Sequence, residues 1–136
     1  MHDKLVRQLI NHEGERLKPY RCTAGRLTIG VGRNLDDKGI TKGESHFMLV
    51  NDIAECSNDL HDIFADWDSF SENRKIALID MRFMGYKSFR TFRRMIAAIK
   101  GGDWALAGKE AMDSKWARED VSKIRSGLIY TQLVGG

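Results

Sequence analysis

Glu13, Cys22 and Thr28 are the side chains whose types and spacing could do acid–base chemistry. Eight residues separate the first two and five the last two. Glu13 closes an apolar segment, is followed by Gly14 and directly precedes a strand-like stretch. A carboxyl held between helices and a sheet loses hydration, which raises its pKa and keeps a proton available near neutrality, as a general acid requires. A surface or helix-capping carboxylate fits the same position. Other chemistry finds less support. Gly30-Val31-Gly32 lacks the third glycine and the strand-to-helix setting of a dinucleotide loop. His2, His12, His46 and His61 show no metal-ligand spacing, and Cys22 and Cys56 form no C-x-x-C pair. No metal, cofactor or disulfide framework is expected.

The elements that must position these groups follow from periodicity. Leu5, Val6, Leu9 and Ile10 share one side of a short helix, predicted to end near Glu13 with Gly14 in the left-handed conformation. Six of the thirteen glycines fall between Gly14 and Gly43. There the period changes: Leu27, Ile29 and Val31 alternate with Thr28, Gly30 and Gly32, the pattern of a half-buried strand. With a turn at Asp36-Asp37-Lys38-Gly39, this predicts a small antiparallel sheet over about 17–40. Thr41-Lys42-Gly43-Glu44 reads as a capping box opening a long amphipathic helix that carries Leu49, Ile53, Cys56, Leu60 and Ile63.

Ser69-Phe70-Ser71-Glu72 reads as a second capping box. Phe89, Phe92, Ile96 and Ile99 mark another core-facing helix, Asp103 caps one over Trp104–Met112, and Val121–Leu133 supplies the last. Trp67, Trp104 and Trp116 are expected in the core. The fold class is α+β: mostly helical, with a small β lobe at about 14–42 and a helical lobe at about 43–136 joined by the long helix. The N-terminal helix, 2–13, is assigned to the helical lobe, and 1–136 form one domain.

The net charge of +3 conceals two opposed blocks. Gly43 to Asn73 holds eight acids and no Lys or Arg, whereas Arg74 to Lys100 holds eight Lys or Arg and one acid, Asp80. Neighbouring helices compensating one another would produce this pattern. So would a basic face for an anionic polymer such as cell wall, nucleic acid or lipid headgroups. Nucleic acid is not expected, because Arg82, Lys87, Arg90, Arg93 and Arg94 lack a reading motif or interleaved aromatics. No run approaches the ~18 apolar residues of a membrane span, and the N-terminus has no apolar signal region.

The Glu-x8-Cys-x5-Thr spacing resembles the phage-type muramidases, glycoside hydrolase family 24, whose signature has Asp or Cys at the second position. The surrounding words agree: His12-Glu13-Gly14-Glu15-Arg16-Leu17-Lys18-Pro19-Tyr20 and Leu27-Thr28-Ile29-Gly30-Val31-Gly32-Arg33-Asn34-Leu35. Asp80-Met81-Arg82-Phe83-Met84-Gly85 and Asp113-Ser114-Lys115-Trp116-Ala117-Arg118 are similar to later landmarks of that family.

The resemblance implies a lysozyme-like fold and hydrolysis of the β-1,4 bond between N-acetylmuramic acid and N-acetylglucosamine in peptidoglycan. Glu13 would be the general acid, Cys22 the second catalytic group and Thr28 a water-positioning hydroxyl. Cys22 could act as a base, as a nucleophile or only as a polar wall. Gly30, Gly32, Arg82, Phe83 and Arg125 would contact substrate. The family's Asn or Gln between the positions of Phe83 and Met84 is missing, so that substrate hydrogen bond is either lost or supplied by Arg82. Arg125, or after it Lys123, would stand for the arginine that approaches the acid. The implied protein is a monomeric phage or prophage endolysin, made in the host cytoplasm and reaching the wall through a holin, without membrane insertion. A lytic transglycosylase and a non-catalytic wall-binding relative are the alternatives.

Overall fold

A computed structural model describes residues 1–136 and divides them into two compact units, Met1–Met48 and Leu49–Gly136. The first begins with helix α1 (His2–Glu13), followed by strands β1 (Arg16–Arg21), β2 (Leu27–Gly30) and β3 (Arg33–Asn34). The strands form one antiparallel sheet in the order β1-β2-β3, with Tyr20 opposite Thr28 and Thr28 opposite Asn34. The α1 helix ends where its sequence predicts, the Gly14 N–H donating to the Ile10 carbonyl at 2.8 Å. Gly14 takes the positive φ, 75°, that only glycine adopts readily, as expected, but its ψ of 164° leaves the left-handed helical turn and leads the chain straight into β1. The sheet also differs in its buried face. Leu27, Ile29 and Val31 are half-buried as expected, but the fully buried residue of β2 is Thr28, 4% exposed.

Helix α2 (Lys42–Ile63) opens with the predicted capping box. Glu44 N–H donates to Thr41 Oγ1 at 3.1 Å, and Thr41 N–H to Glu44 Oε1 at 2.9 Å. Glu44 Oε1 also accepts from Arg33 Nη1 at 2.8 Å, so the same carboxylate ties the start of α2 to the sheet. The first unit holds α1, the sheet and the opening turns of α2.

The second unit continues α2 and adds a 3-10 turn (Trp67–Ser69), α3 (Glu72–Arg82), α4 (Tyr86–Phe89), α5 (Arg93–Lys100), α6 (Trp104–Met112), a π turn (Trp116–Asp120) and α7 (Lys123–Gly135). Asp103 caps α6 as predicted, its Oδ1 accepting from Leu106 N–H at 3.0 Å. The cap of α3 is Ser71, accepting from Arg74 N–H, rather than Ser69, whose hydroxyl instead donates to the Asp66 carbonyl. The helix expected over Phe89–Ile99 is broken in two, because Thr91 Oγ1 bonds the Ser88 carbonyl and competes with the backbone ladder.

One hydrophobic core fills this unit, with Leu60, Phe64, Leu78, Met81, Phe89, Met95, Ile99, Ile129 and Leu133 all but inaccessible to water. Trp67 and Trp116 are buried in it, and Trp104 packs at its edge. The architecture is the mostly helical α+β fold expected, with its small antiparallel sheet and 22-residue connecting helix. No helix is long and apolar enough to cross a membrane.

Candidate active site

Within the first unit, Glu13 is the last residue of α1 and is exposed to solvent. The burial expected around its carboxyl is absent within this unit, because the short helix ends at the surface. The carboxylate instead lies over the turn joining β2 to β3. A Cβ built on Gly32 would stand 3.4 Å from Glu13 Oε2. Gly32 also has φ +68°, a conformation costly for most residues with a side chain, so the backbone favours glycine there, while the built Cβ would only touch the carboxylate. Gly30 has φ +67° but nothing within 4 Å of the corresponding position. Its missing side chain leaves open space beside the backbone, as expected where a ligand must come close.

Cys22 follows β1, half-buried, its N–H donating to the Arg26 carbonyl at 3.0 Å and its carbonyl accepting from Gly25 N–H at 2.8 Å. This tight turn aims backbone N–H groups at the sulfur. The thiol pKa is held below its ordinary value, first by the Arg26 N–H, then by the Ala24 N–H and, more weakly, by the Thr28 hydroxyl, against a partial burial that opposes ionisation. Thr28 Oγ1 also lies 2.9 Å from the Arg26 carbonyl, so its single hydrogen has two alternative acceptors, that carbonyl and the Cys22 sulfur. The pairing of β1 with β2 therefore brings Cys22 and Thr28 together, while the end of α1 brings Glu13 to Gly32.

Salt and hydrogen bonds of the remaining loops hold this frame. Asp36 Oδ2 accepts from Leu27 N–H at 2.7 Å, Asn34 Oδ1 from Asp37 N–H at 3.1 Å, and Arg33 Nη1 donates to Glu44. The Arg33 guanidinium, with the Thr41 N–H and hydroxyl, pulls the Glu44 carboxyl down to about 2. Sequence reading found the capping box but missed Arg33, whose only signal is its place directly after Gly32.

In the second unit, Arg82 departs from its expected role. It lies on the buried face of α3 with Ala77, Leu78 and Met81, only 9% exposed. Its Nε donates to Asp59 Oδ2 at 2.9 Å, and Nη2 donates to the same oxygen. Asp59 sits one step from the buried row Cys56–Leu60 on α2, so the guanidinium is turned inward to balance it and is not free to replace a substrate-binding amide. Arg125, at the start of α7, donates from Nε to Asp80 Oδ1 at 2.8 Å and from Nη2 to the Asp80 carbonyl at 3.2 Å. Its charge is matched inside this unit; Lys123 is exposed in the same turn.

Phe83 and Arg125 do meet, on the wall of a cavity of about 940 Å³. Met84, Phe92, Asp113, Ser114, Lys115 and Trp116 also line it. Two separate sequence landmarks, around Phe83 and around Trp116, thus form one concavity. The π turn at Trp116–Asp120 shapes its second wall; such turns recur at functional sites.

The sequence model of the phage lysozyme family matches residues 10–131, and the chain belongs to that family. It is 31% identical to the endolysin of Acyrthosiphon pisum secondary endosymbiont phage 1, over 86% of this chain and 80% of the relative. It is 28% identical to probable T4-type lysozyme 1 of Dictyostelium discoideum, over 76% and 79%. Against the pre-baseplate central spike protein Gp5 of Enterobacteria phage T4 it is 26% identical over 85% of this chain, spanning only 25% of the spike protein's length. Membership supports a lysozyme or endolysin function: a glycosidase-type activity with peptidoglycan as the substrate the family implies.

Proposed function

We propose that this chain, as one lysozyme-like domain, is a muramidase that hydrolyses the β-1,4 bond between N-acetylmuramic acid and N-acetylglucosamine. Glu13 in its protonated form gives its proton to the departing glycosidic oxygen as the C1–O bond breaks. Water held by the Thr28 hydroxyl attacks C1 from the opposite face and passes a proton to the Cys22 thiolate. A proton moving from Cys22 through solvent to Glu13 restores both groups. Two groups flanking the bond with room for a water between them give inversion. What carries the reading is the hairpin itself. It lays the Glu13 carboxylate over Gly32, with open space at Gly30, and turns N–H donors onto a thiol beside Thr28. We infer the biological role to be phage or prophage host lysis by a monomer that reaches the wall through a holin.

The test digests purified peptidoglycan with the wild type, Glu13→Gln and Cys22→Ser. Muropeptides analysed by mass spectrometry should carry reducing muramic ends. These should fall about 10²–10⁴-fold with Glu13→Gln, the usual contribution of a positioned acid. Proton NMR at early times should show the α-anomer forming first. A β-anomer would overturn the role of Cys22 as base, as would full turnover by Cys22→Ser. Anhydro-muramic ends would instead identify a transglycosylase, and no soluble product with binding retained would identify a wall-binding relative.

A further inference from the structure

The basic block from Arg74 to Lys100 separates into two groups once its contacts are known. Arg74 Nε donates to the Leu133 carbonyl at 2.9 Å, its guanidinium lying over the Trp104 ring at 4.3 Å. Lys75 Nζ reaches the Asp68 carbonyl at 3.3 Å, and Arg82 is held by Asp59. Packing and helix ends account for these three. The other five, Lys87, Arg90, Arg93, Arg94 and Lys100, are exposed and take part in none of the chain's ion pairs. Direct ion pairing between the acidic block and this one is thus confined to Arg82, with Asp59 at its Nη2 and Glu55 at 4.0 Å.

Three of the five converge. Arg90, Arg93 and Lys100 line a concavity of about 540 Å³, whose only carboxylate is Asp62 and whose other walls are Ile63, Tyr86, Ile96 and Ala97. The fold does not benefit from this arrangement. Arg93 and Arg94 begin α5, whose first turn contains no acid, so two cations stand at the positive end of a helix, where they are destabilising. Arg93 reaches the concavity, where an anion would offset its charge. Arginine forks suit the paired oxygens of phosphate, and three cations against one carboxylate suit a group carrying more than one negative charge. The space exceeds that of a bare anion, and its apolar walls suit a carbon skeleton.

We propose that the α4–α5 concavity is a binding site for phosphate esters of small polyols or sugars, separate from the hydrolytic residues. Such a site would give the enzyme a second hold on phosphate-bearing envelope material while leaving bond cleavage unaltered.

The experiment titrates the full-length 15N-labelled protein with glycerol 3-phosphate, using glycerol and acetate as controls, and repeats it with an Arg90→Gln/Lys100→Gln double variant. Both side chains are exposed, so the variant should keep its melting temperature and its hydrolysis of peptidoglycan. Saturable shifts at amides of residues 86–100 in the millimolar range or tighter are expected, with affinity about tenfold lower in the double variant. Absence of saturation would overturn the proposal, as would equal response to acetate or unchanged affinity in the variant. A parallel arm uses phosphatidylglycerol and phosphatidylcholine vesicles. Binding to phosphatidylglycerol vesicles without binding to the soluble ester would replace the pocket with a membrane-surface reading.

Discussion

The two units are held together by different means. Every buried hydrophobic side chain lies between Cys56 and Leu133, in the second unit, whereas the only buried residue of the first 48 is Thr28. The first unit relies on a lattice of polar contacts: the Thr41–Glu44 box, Arg33 on Glu44, Asp36 on the Leu27 N–H and Asn34 with Asp37. Apolar burial is nondirectional and large, so the helical unit tolerates changes of contact without losing its core. Polar lattices are weaker in sum but fix direction. Direction is what the hairpin carrying Glu13, Cys22 and Thr28 requires, and segments with little apolar burial are also the ones that open locally most readily.

The largest effect that tests this contrast belongs to the core. Phe64→Ala should lower global stability by about 3–5 kcal/mol, the usual cost of a fully buried phenylalanine, measured by urea denaturation. Turnover per folded molecule should stay near wild type, since Phe64 lies in the second unit's core. A proportionate loss of turnover would break the contrast.

The second effect is smaller and lies in the hairpin. Gly32→Ala and Gly30→Ala should each cost about 1–2 kcal/mol, because both glycines have positive φ. Their kinetics should differ. The new methyl at position 32 touches the Glu13 carboxylate and should reduce kcat about tenfold through its placement, while that at position 30 enters open space and should raise KM. Equal kcat in both variants would show that the contact at Gly32 does not position the acid.

The smallest effect is a pH dependence. The Glu44 carboxyl titrates near 2 in the folded chain, below the ~4.3 of an unfolded one. Its contribution is therefore complete above the unfolded value and disappears as pH falls through the folded value. Protection factors at the amides of residues 27–35, taken against the exchange of an unstructured chain at the same pH, should fall between about pH 4.5 and 2, and Glu44→Gln should remove that dependence. Unchanged protection across this window in the wild type would mean the Arg33–Glu44 bond does not hold the hairpin.

Much of this organisation is legible in residue order because its causes are local. The end of α1, the Thr41–Glu44 box, the Asp103 cap and the sheet all depend on neighbours within a few residues. Local signals mislead where two of them compete. Ser69 and Ser71 both precede Glu72, and the backbone selected Ser71. Phe89 to Ile99 keeps a helical period across Thr91, yet the hydroxyl interrupts the ladder. Arg82 shows a different limit. Its sequence neighbourhood suggests a residue at the substrate, but its partner Asp59 lies on another helix, 23 positions away.

The sequence alone determined the family resemblance, the α+β class and the presence of an acid, a thiol and a hydroxyl on one helix end and hairpin, since spacing and periodicity suffice for these. Tertiary structure decided how each charge is used. It turned Arg82 inward to Asp59, matched Arg125 with Asp80, and set Arg90, Arg93 and Lys100 around an open concavity. The reason is physical: charge is a property of the residue, but its compensation depends on which distant group the fold brings within a few ångströms, and residue order does not record that distance.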